Sequence, residues 1–301
     1  MGAAKFIRGL ARHLDQRRLD VIVNTGDDEN FYGLHVSPDI DTIIYTLAGA
    51  VNRVQGWGLA EESFVALEAL TRFYGEPWFK LGDRDIATHL FRTERLRERA
   101  SLSEVTAELA ERFGVGARVM PMSDDRVRTF VKVRGKSAMP FQEYFVRRRF
   151  RGVVERIELR GIERARALAS ALESIANAAA VILAPSNPFV SLGPILGLKG
   201  MRKALSSVRA RVAAISPIVA GRTIKGPADR MLRGLGHEVS PLGVARLYRD
   251  CVGVFVLDRA DQRYAGAIEE LGMRAVVSDT IMSTPARAAR LSKVVLDALG
   301  V

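Results

Sequence analysis

Apolar positions recur along this chain in two alternating periods. Helical spacing of Phe6, Ile7, Leu10 and Ala11 predicts an amphipathic helix over 4–15, and the β-branched run Val21, Ile22, Val23 predicts a strand over 19–24. Helices are expected over 39–51, about 60–74, after Gly82 and over 102–113, followed by strands over 117–120 and 127–133. From 162 onward the alternation is regular. It predicts a helix over 164–177, strands over 180–183 and 212–215 and a helix opening near Ala228, then a strand over 252–257, a helix over 259–271, a strand over 275–277 and a helix over 285–299. Such a pattern calls for a parallel sheet with right-handed crossovers. The segment 135–161 breaks the pattern and is expected to be an inserted subregion within a single domain spanning 1–301.

The polar residues between these elements carry the chemistry. The strand ending at Val23 runs out into Asn24-Thr25-Gly26-Asp27-Asp28, at the carboxyl end where open α/β sheets bind ligands. Ser37-Pro38 predicts a helix start, which puts Asp39 and Asp41 in the first turn. Asp27, Asp28, Asp39 and Asp41 are therefore expected to converge on one crevice. Carboxylates gathered in this way suit magnesium, which keeps waters and takes its remaining ligands from substrate phosphates, although the same residues also suit a turn and a helix dipole. A second acidic turn, Asp124-Asp125, has similar chemistry. Other strand ends are rich in serine, asparagine, glycine and proline (Pro185-Ser186-Asn187-Pro188, Ser216-Pro217-Ile218, Lys225-Gly226-Pro227), which turn tightly and offer donors to phosphate oxygens. Arg84 in the first turn of a helix opposes the dipole and calls for an anionic or planar partner.

Composition narrows the classes. Forty-five basic against 34 acidic residues give a formal charge of +11, which favours anionic partners. Most arginines, as in the run from Arg92 to Arg99, have acidic neighbours and read as a solvated helix face. The dense cluster Arg147, Arg148, Arg149 and Arg151 comes with no nucleic-acid motif, and no nucleic-acid partner is expected. The single cysteine, Cys251, precedes an apolar run and reads as an inert buried thiol. No apolar run is long enough to span a membrane, and a cytoplasmic protein is expected. Of the histidines, His35 lies in the acidic loop within reach of a substrate, whereas His13, His89 and His237 read as helix or loop residues.

Seven segments in register, Val23-Asn24-Thr25 with Asp28, Ser37-Pro38-Asp39-Ile40-Asp41-Thr42, Leu81-Gly82-Asp83-Arg84-Asp85, Pro121-Met122-Ser123-Asp124-Asp125, Pro185-Ser186-Asn187-Pro188, Ser216-Pro217-Ile218 and Ser278-Asp279-Thr280, resemble the 2-phospho-L-lactate transferase family of coenzyme F420 biosynthesis. The resemblance implies a Rossmann-like open sheet with helices on both faces. It also implies a magnesium-dependent transfer of a phospholactyl or phosphoenolpyruvyl group from a guanosine diphosphate carrier to the deazaflavin Fo, releasing GMP. On that basis Asp39 and Asp41 are assigned to catalysis and magnesium, with Asp28, Asp124 and Asp125 as further metal candidates. Asp41 and Arg84 are assigned to Fo, and Asn187, Ser216, Lys225 and Gly226 to the guanylyl diphosphate. The family's opening strand and glycine-rich turn are missing from the expected place, since the sequence begins Met1-Gly2-Ala3-Ala4-Lys5 as if inside that turn. A competing expectation is a non-catalytic nucleotide-sugar-binding regulator similar to gluconeogenesis factor. Oligomeric state stays open, a homodimer included.

Overall fold

The protein is described by a computed structural model covering residues 2–301. The chain opens on α1 (Gly2–Leu10), reaches β1 (Asp20–Val23), turns through the hairpin β2 (Glu29–Phe31) and β3 (Leu34–Val36), and enters α2 (Pro38–Leu47). Then come α3 (Val65–Tyr74), α4 (Asp83–Arg97), α5 (Leu102–Arg112), β4 (Arg118–Pro121), β5 (Arg128–Val133), β6 (Met139–Pro140) and β7 (Val154–Arg160). The next part carries α6 (Ala169–Asn177), β8 (Val181–Leu183), α7 (Leu192–Gly197), α8 (Met201–Ser207), β9 (Val212–Ile215), β10 (Ile218–Val219) and β11 (Arg222–Thr223). It closes with α9 (Ala228–Gly234), α10 (Pro241–Arg246), β12 (Val254–Asp258), α11 (Ala265–Glu269), β13 (Arg274–Ser278) and α12 (Pro285–Leu299).

Four strands form a parallel sheet in the order β13-β12-β9-β8, and β1 and β4 form a separate parallel pair. Every residue of β9 and β12 is buried, as parallel strands covered on both faces require. Successive side chains leave a strand on opposite faces, and the core divides accordingly. Ala214, Phe255 and Leu257 join Leu192, Met201 and Leu205 on one face. On the other, Val23 and Val119 pack with Ile40, Ile44 and Tyr45, while Ile215 and Val256 pack with Phe6, Leu10, Leu291 and Val295. Helix α1 lies close along α12, since a Cβ at Gly9 would meet the Ala288 carbonyl and the Ser292 hydroxyl.

Several boundaries differ from the periodic reading. The helix expected over 164–177 starts only at Ala169, because the backbone of Arg166 is taken by the 121–125 turn: Asp125 Oδ2 accepts from its N–H at 2.8 Å and Ser123 Oγ donates to its carbonyl at 2.6 Å. The first helix stops at Leu10, and the stretch expected to be one helix over 259–271 is a tight 3₁₀ run, Arg259–Tyr264, followed by α11. The β2–β3 hairpin was not foreseen. Its turn residues Tyr32 and Gly33 both have positive φ, the requirement of a two-residue primed turn, but only the glycine announces it. The irregular segment contributes β6 and β7, which pair antiparallel with β5 in the order β6-β5-β7.

Candidate functional site

The carboxyl end of β1 is organised by Asn24. Its buried side chain accepts from the Gly26 N–H at 2.9 Å and donates to Asp39 Oδ2 at 3.0 Å and to the Val190 carbonyl at 3.2 Å. One amide thus ties the β1 loop, the first turn of α2 and the loop after β8. Beside it stand Asp27, Asp28 and Asp39. Burial pushes the Asp27 carboxyl well above its ordinary range, and the negative charges of Asp39 and Asp28 push it further. Burial also raises Asp28 and Asp39. Asp28 is partly compensated, accepting at Oδ2 from Ser37 Oγ at 2.7 Å and meeting His35 Nε2 at 3.2 Å. Asp27 Oδ1 and Asp28 Oδ1 are buried without any hydrogen bond, as are the hydroxyls of Thr25 and Thr129. Buried acceptors left open in this way cost free energy unless a proton, water or cation meets them.

Asp41, expected in the same crevice, is instead held by Arg92, the largest fully buried side chain. Arg92 Nη2 donates to Asp41 Oδ1, and Nη1 donates to Asp41 Oδ2 at 3.2 Å and to His89 Nδ1 at 3.2 Å. A guanidinium only donates, so His89 Nδ1 is bare and its proton sits on Nε2, which lies 3.8 Å from Asp85 Oδ1. Tyr45 donates to the same Asp85 oxygen at 2.7 Å. Burial pulls His89 down to about 4, so the ring is neutral, and burial with the charge of Asp41 lifts Asp85 to about 7. Arg92 is therefore no part of a solvated face, and both oxygens of Asp41 are already engaged.

The remaining expected residues are distributed as follows. Arg84 is exposed over 58% of its side chain, with its guanidinium 3.7 Å from Glu61 and donating to the Ala60 carbonyl at 3.3 Å. The first turn of α4 is compensated by Glu62, which accepts from the N–H groups of Arg84 and Asp85, while Asp83 in return accepts from Val65 and Ala66 at the start of α3. Asp124 accepts from the N–H and hydroxyl of Ser103 and holds the start of α5, and Asp125 binds the Arg166 N–H. Both work as caps on the surface. Asn187 Oδ1 accepts from Phe189 and Val190 N–H within its own loop while its Nδ2 donates to Met231 Sδ of α9 at 3.2 Å, and the Ser216 hydroxyl closes on Ile218. Lys225 is exposed in the β11–α9 loop, and Gly226 turns it at φ +91°. Lys5 on α1, which was not singled out, donates to the Met282 carbonyl at 3.1 Å. Burial and the fields of Lys225 and Arg8 lower its pKa, which gathers three cations on this side of the molecule. Among the described residues no group of three or more His, Cys, Asp or Glu side chains is disposed to hold a metal by itself.

The family described as 2-phospho-L-lactate transferase CofD matches residues 1–294. The chain belongs to that family. Among its relatives are the phosphoenolpyruvate transferase of Kitasatospora aureofaciens, 40% identical over 98% of this chain and 94% of the relative, and the 2-phospho-L-lactate transferase of Methanosarcina mazei, 36% identical over 99% and 97%. A crystal structure of a UPF0052-family protein from Bacillus halodurans has a TM-score of 0.67 at 14% identity, covering 98% of this chain and 96% of that one, a likeness of fold alone. Membership makes the chain a transferase and connects it with coenzyme F420 biosynthesis. No described helix is long and apolar enough to cross a membrane. Asn24 and Lys5 were given no role by the sequence reading, Asp27 was named only as one of four converging carboxylates, and Arg92 was read as part of a solvated face. Asn24 and Asp27 stood in the recognised loop, but nothing in the sequence marked the burial that sets their chemistry.

Proposed function

We propose that this protein moves a phospholactyl or phosphoenolpyruvyl group from a guanosine diphosphate carrier to the terminal hydroxyl of the deazaflavin Fo, with release of GMP. The observation that carries the reading is the trio Asp27, Asp28 and Asp39 at the end of a parallel strand, with a buried, open oxygen on Asp27 and on Asp28, on a chain whose relatives are named for such transfers. The hydroxyl oxygen bonds to the phosphorus bearing the three-carbon group, the bond from that phosphorus to the GMP oxygen breaks, and the hydroxyl proton passes to a carboxylate. Asp39 is suited to take it, because burial raises its affinity for a proton and Asn24 fixes its orientation. Lys5, Arg8 and Lys225 supply positive charge for the diphosphate.

The residues present fit magnesium in one respect: two buried carboxylate oxygens without partners, fewer than a complete protein cage, match an ion that takes its other ligands from phosphate and water. Asp27 and Asp28 would hold it, and it would neutralise the charge that develops on the leaving diphosphate oxygen. Asp41, closed by Arg92, is reassigned here to holding the base of α2, and Arg84, exposed at the start of α4, remains the residue offered to Fo. The test is Asp39→Asn. GMP release is expected to fall at least about a hundredfold, as when a preorganised group at a reacting centre is lost, with guanine-nucleotide affinity nearly unchanged. Equal losses in turnover and affinity would remove Asp39 from the chemistry.

A further inference from the structure

Thr129 lies outside the acidic loop and far from it in sequence, yet it is packed directly onto it. It sits on β5, the central strand of the antiparallel sheet, whose backbone is fixed by pairing with β6 and β7, and its β-branched side chain has few rotamers. The Thr129 N–H donates to the Gly26 carbonyl at 2.6 Å, and Arg128 beside it is paired with Glu29. Strand β5 therefore grips the β1 loop on either side of Asp27 and Asp28. The contact is close enough to require glycine at 26, since a Cβ there would stand 2.6 Å from Thr129 Oγ1. The same hydroxyl faces Asp27 and draws its raised pKa partly back, but closes no hydrogen bond.

Elsewhere in the protein buried hydroxyls close on a carbonyl, as burial demands. Thr93 Oγ1 donates to His89 at 2.6 Å, Thr106 Oγ1 to Leu102 at 2.7 Å and Ser123 Oγ to Arg166 at 2.6 Å. Thr25 and Thr129, 4% and 2% exposed, close on nothing, and neither do Asp27 Oδ1 and Asp28 Oδ1. The other buried hydroxyl left open among the described residues, that of Tyr248, belongs to the core around β9 and β12. Two elements thus bring open oxygens to one place. The nearby ring nitrogen, His35 Nε2, is already engaged with Asp28 Oδ2. Oxygen donors without free nitrogen or sulfur suit a hard cation such as magnesium or manganese and disfavour softer metals. Carboxylates and imidazoles alone do not complete a cage among the described residues. A hydroxyl beside a carboxylate is the donor set by which other phosphate-transfer sites hold magnesium. We infer that Thr129, together with Thr25, completes the cation site of Asp27 and Asp28, so that the ion is shared between the β1 loop and the antiparallel sheet. The inference rests on the placing of the ion at those two carboxylates. It makes the antiparallel sheet a wall of the site, with Thr129 as a positioning residue and Gly26 as the opening that admits it.

The experiment titrates manganese, a paramagnetic stand-in for magnesium, into the full chain without nucleotide and reads the free ion by electron paramagnetic resonance, with excess magnesium as the competitor. Thr129→Val keeps the side-chain shape and removes only the hydroxyl. Its manganese affinity should fall about ten- to a hundredfold, the range seen when supporting contacts at metal sites are lost, and Thr129→Ser should restore most of it. The metal-free unfolding midpoint of Thr129→Val should hold or rise, because a buried hydroxyl without a partner has been removed. Wild-type affinity in Thr129→Val, with binding lost in Asp27→Asn, would overturn this inference alone and leave the ion with Asp27 and Asp28. Binding unchanged in both variants, or absent from the wild type, would overturn the inference and the cation assignment together. A metal-free midpoint that falls in Thr129→Val would make the hydroxyl a structural bond and would also overturn it.

Discussion

Removing the Arg92 guanidinium tests the buried network from the inside. In Arg92→Met the alkyl volume stays, but Asp41 loses both charge-assisted donors and His89 Nδ1 loses its partner, all in a region closed to solvent. Breaking one side of a buried ion pair leaves an uncompensated charge and costs about 3–5 kcal/mol. With an unfolding entropy of about 2.1 cal/mol/K per residue, a chain of 301 residues has ~0.6 kcal/mol/K, so the midpoint should fall by roughly 5–8 °C. The assay is thermal unfolding followed by circular dichroism, checked by urea titration. The double variant Arg92→Met/Asp41→Leu removes both charges and should be less destabilised than Arg92→Met, since no lone carboxylate is left buried. A loss below about 1 kcal/mol in the single variant, or simple additivity in the double, would show that the pair is not the buried strut described here.

Three further outcomes follow from the same geometry. Because folding raises the pKa of Asp27, Asp28 and Asp39, the folded state binds more protons than the unfolded one above the ordinary carboxylate range, and the metal-free protein should lose stability as pH rises through the raised values. Added magnesium should therefore raise the midpoint more at pH 8 than at pH 5.5, and a gain independent of pH would argue against these carboxylates as its ligands. Arg84→Ala, at an exposed side chain, should leave the unfolding midpoint within about a degree while weakening Fo binding in calorimetric titration; unchanged Fo affinity would remove Arg84 from that site. Cys251 is fully buried with its thiol pushed up to about 11 by that burial, so alkylation at pH 7.5 should proceed only with unfolding, and rapid labelling of the native chain would contradict its core position.

The strand-end loop was legible because a β-branched run followed by Asn24-Thr25-Gly26-Asp27-Asp28 announces both a buried strand and its exit. What it could not give was the division of labour among the carboxylates. Asp124-Asp125 and Asp27-Asp28 look alike in sequence, yet one pair caps the backbone of Ser103 and Arg166 and the other is buried with open oxygens. The difference lies in what packs over them, not in local composition. Arg92 misled for a related reason. Acidic neighbours at helical spacing normally mean a wet face, and its burial depends on Asp41, a residue 51 positions earlier in the chain. The serine and asparagine of the later loops were rightly placed at strand ends, but the Ser216 hydroxyl and Asn187 Oδ1 are spent on their own turns, a use that turn propensity equally allows, and Asn187 Nδ2 on Met231 Sδ. The parallel order of the strands followed from alternation, whereas the split between β1 and β8 is visible only once both edges are in place.

The most direct measurement mixes the protein with Fo, a guanosine diphosphate-linked phospholactyl or phosphoenolpyruvyl donor and magnesium, and follows GMP and the phosphodiester of Fo by mass spectrometry. Equimolar GMP and Fo ester, abolished by chelation and lowered at least about a hundredfold by Asp39→Asn, is the expected result. Tight binding of a nucleotide sugar by a folded protein that neither binds Fo nor releases GMP would contradict it.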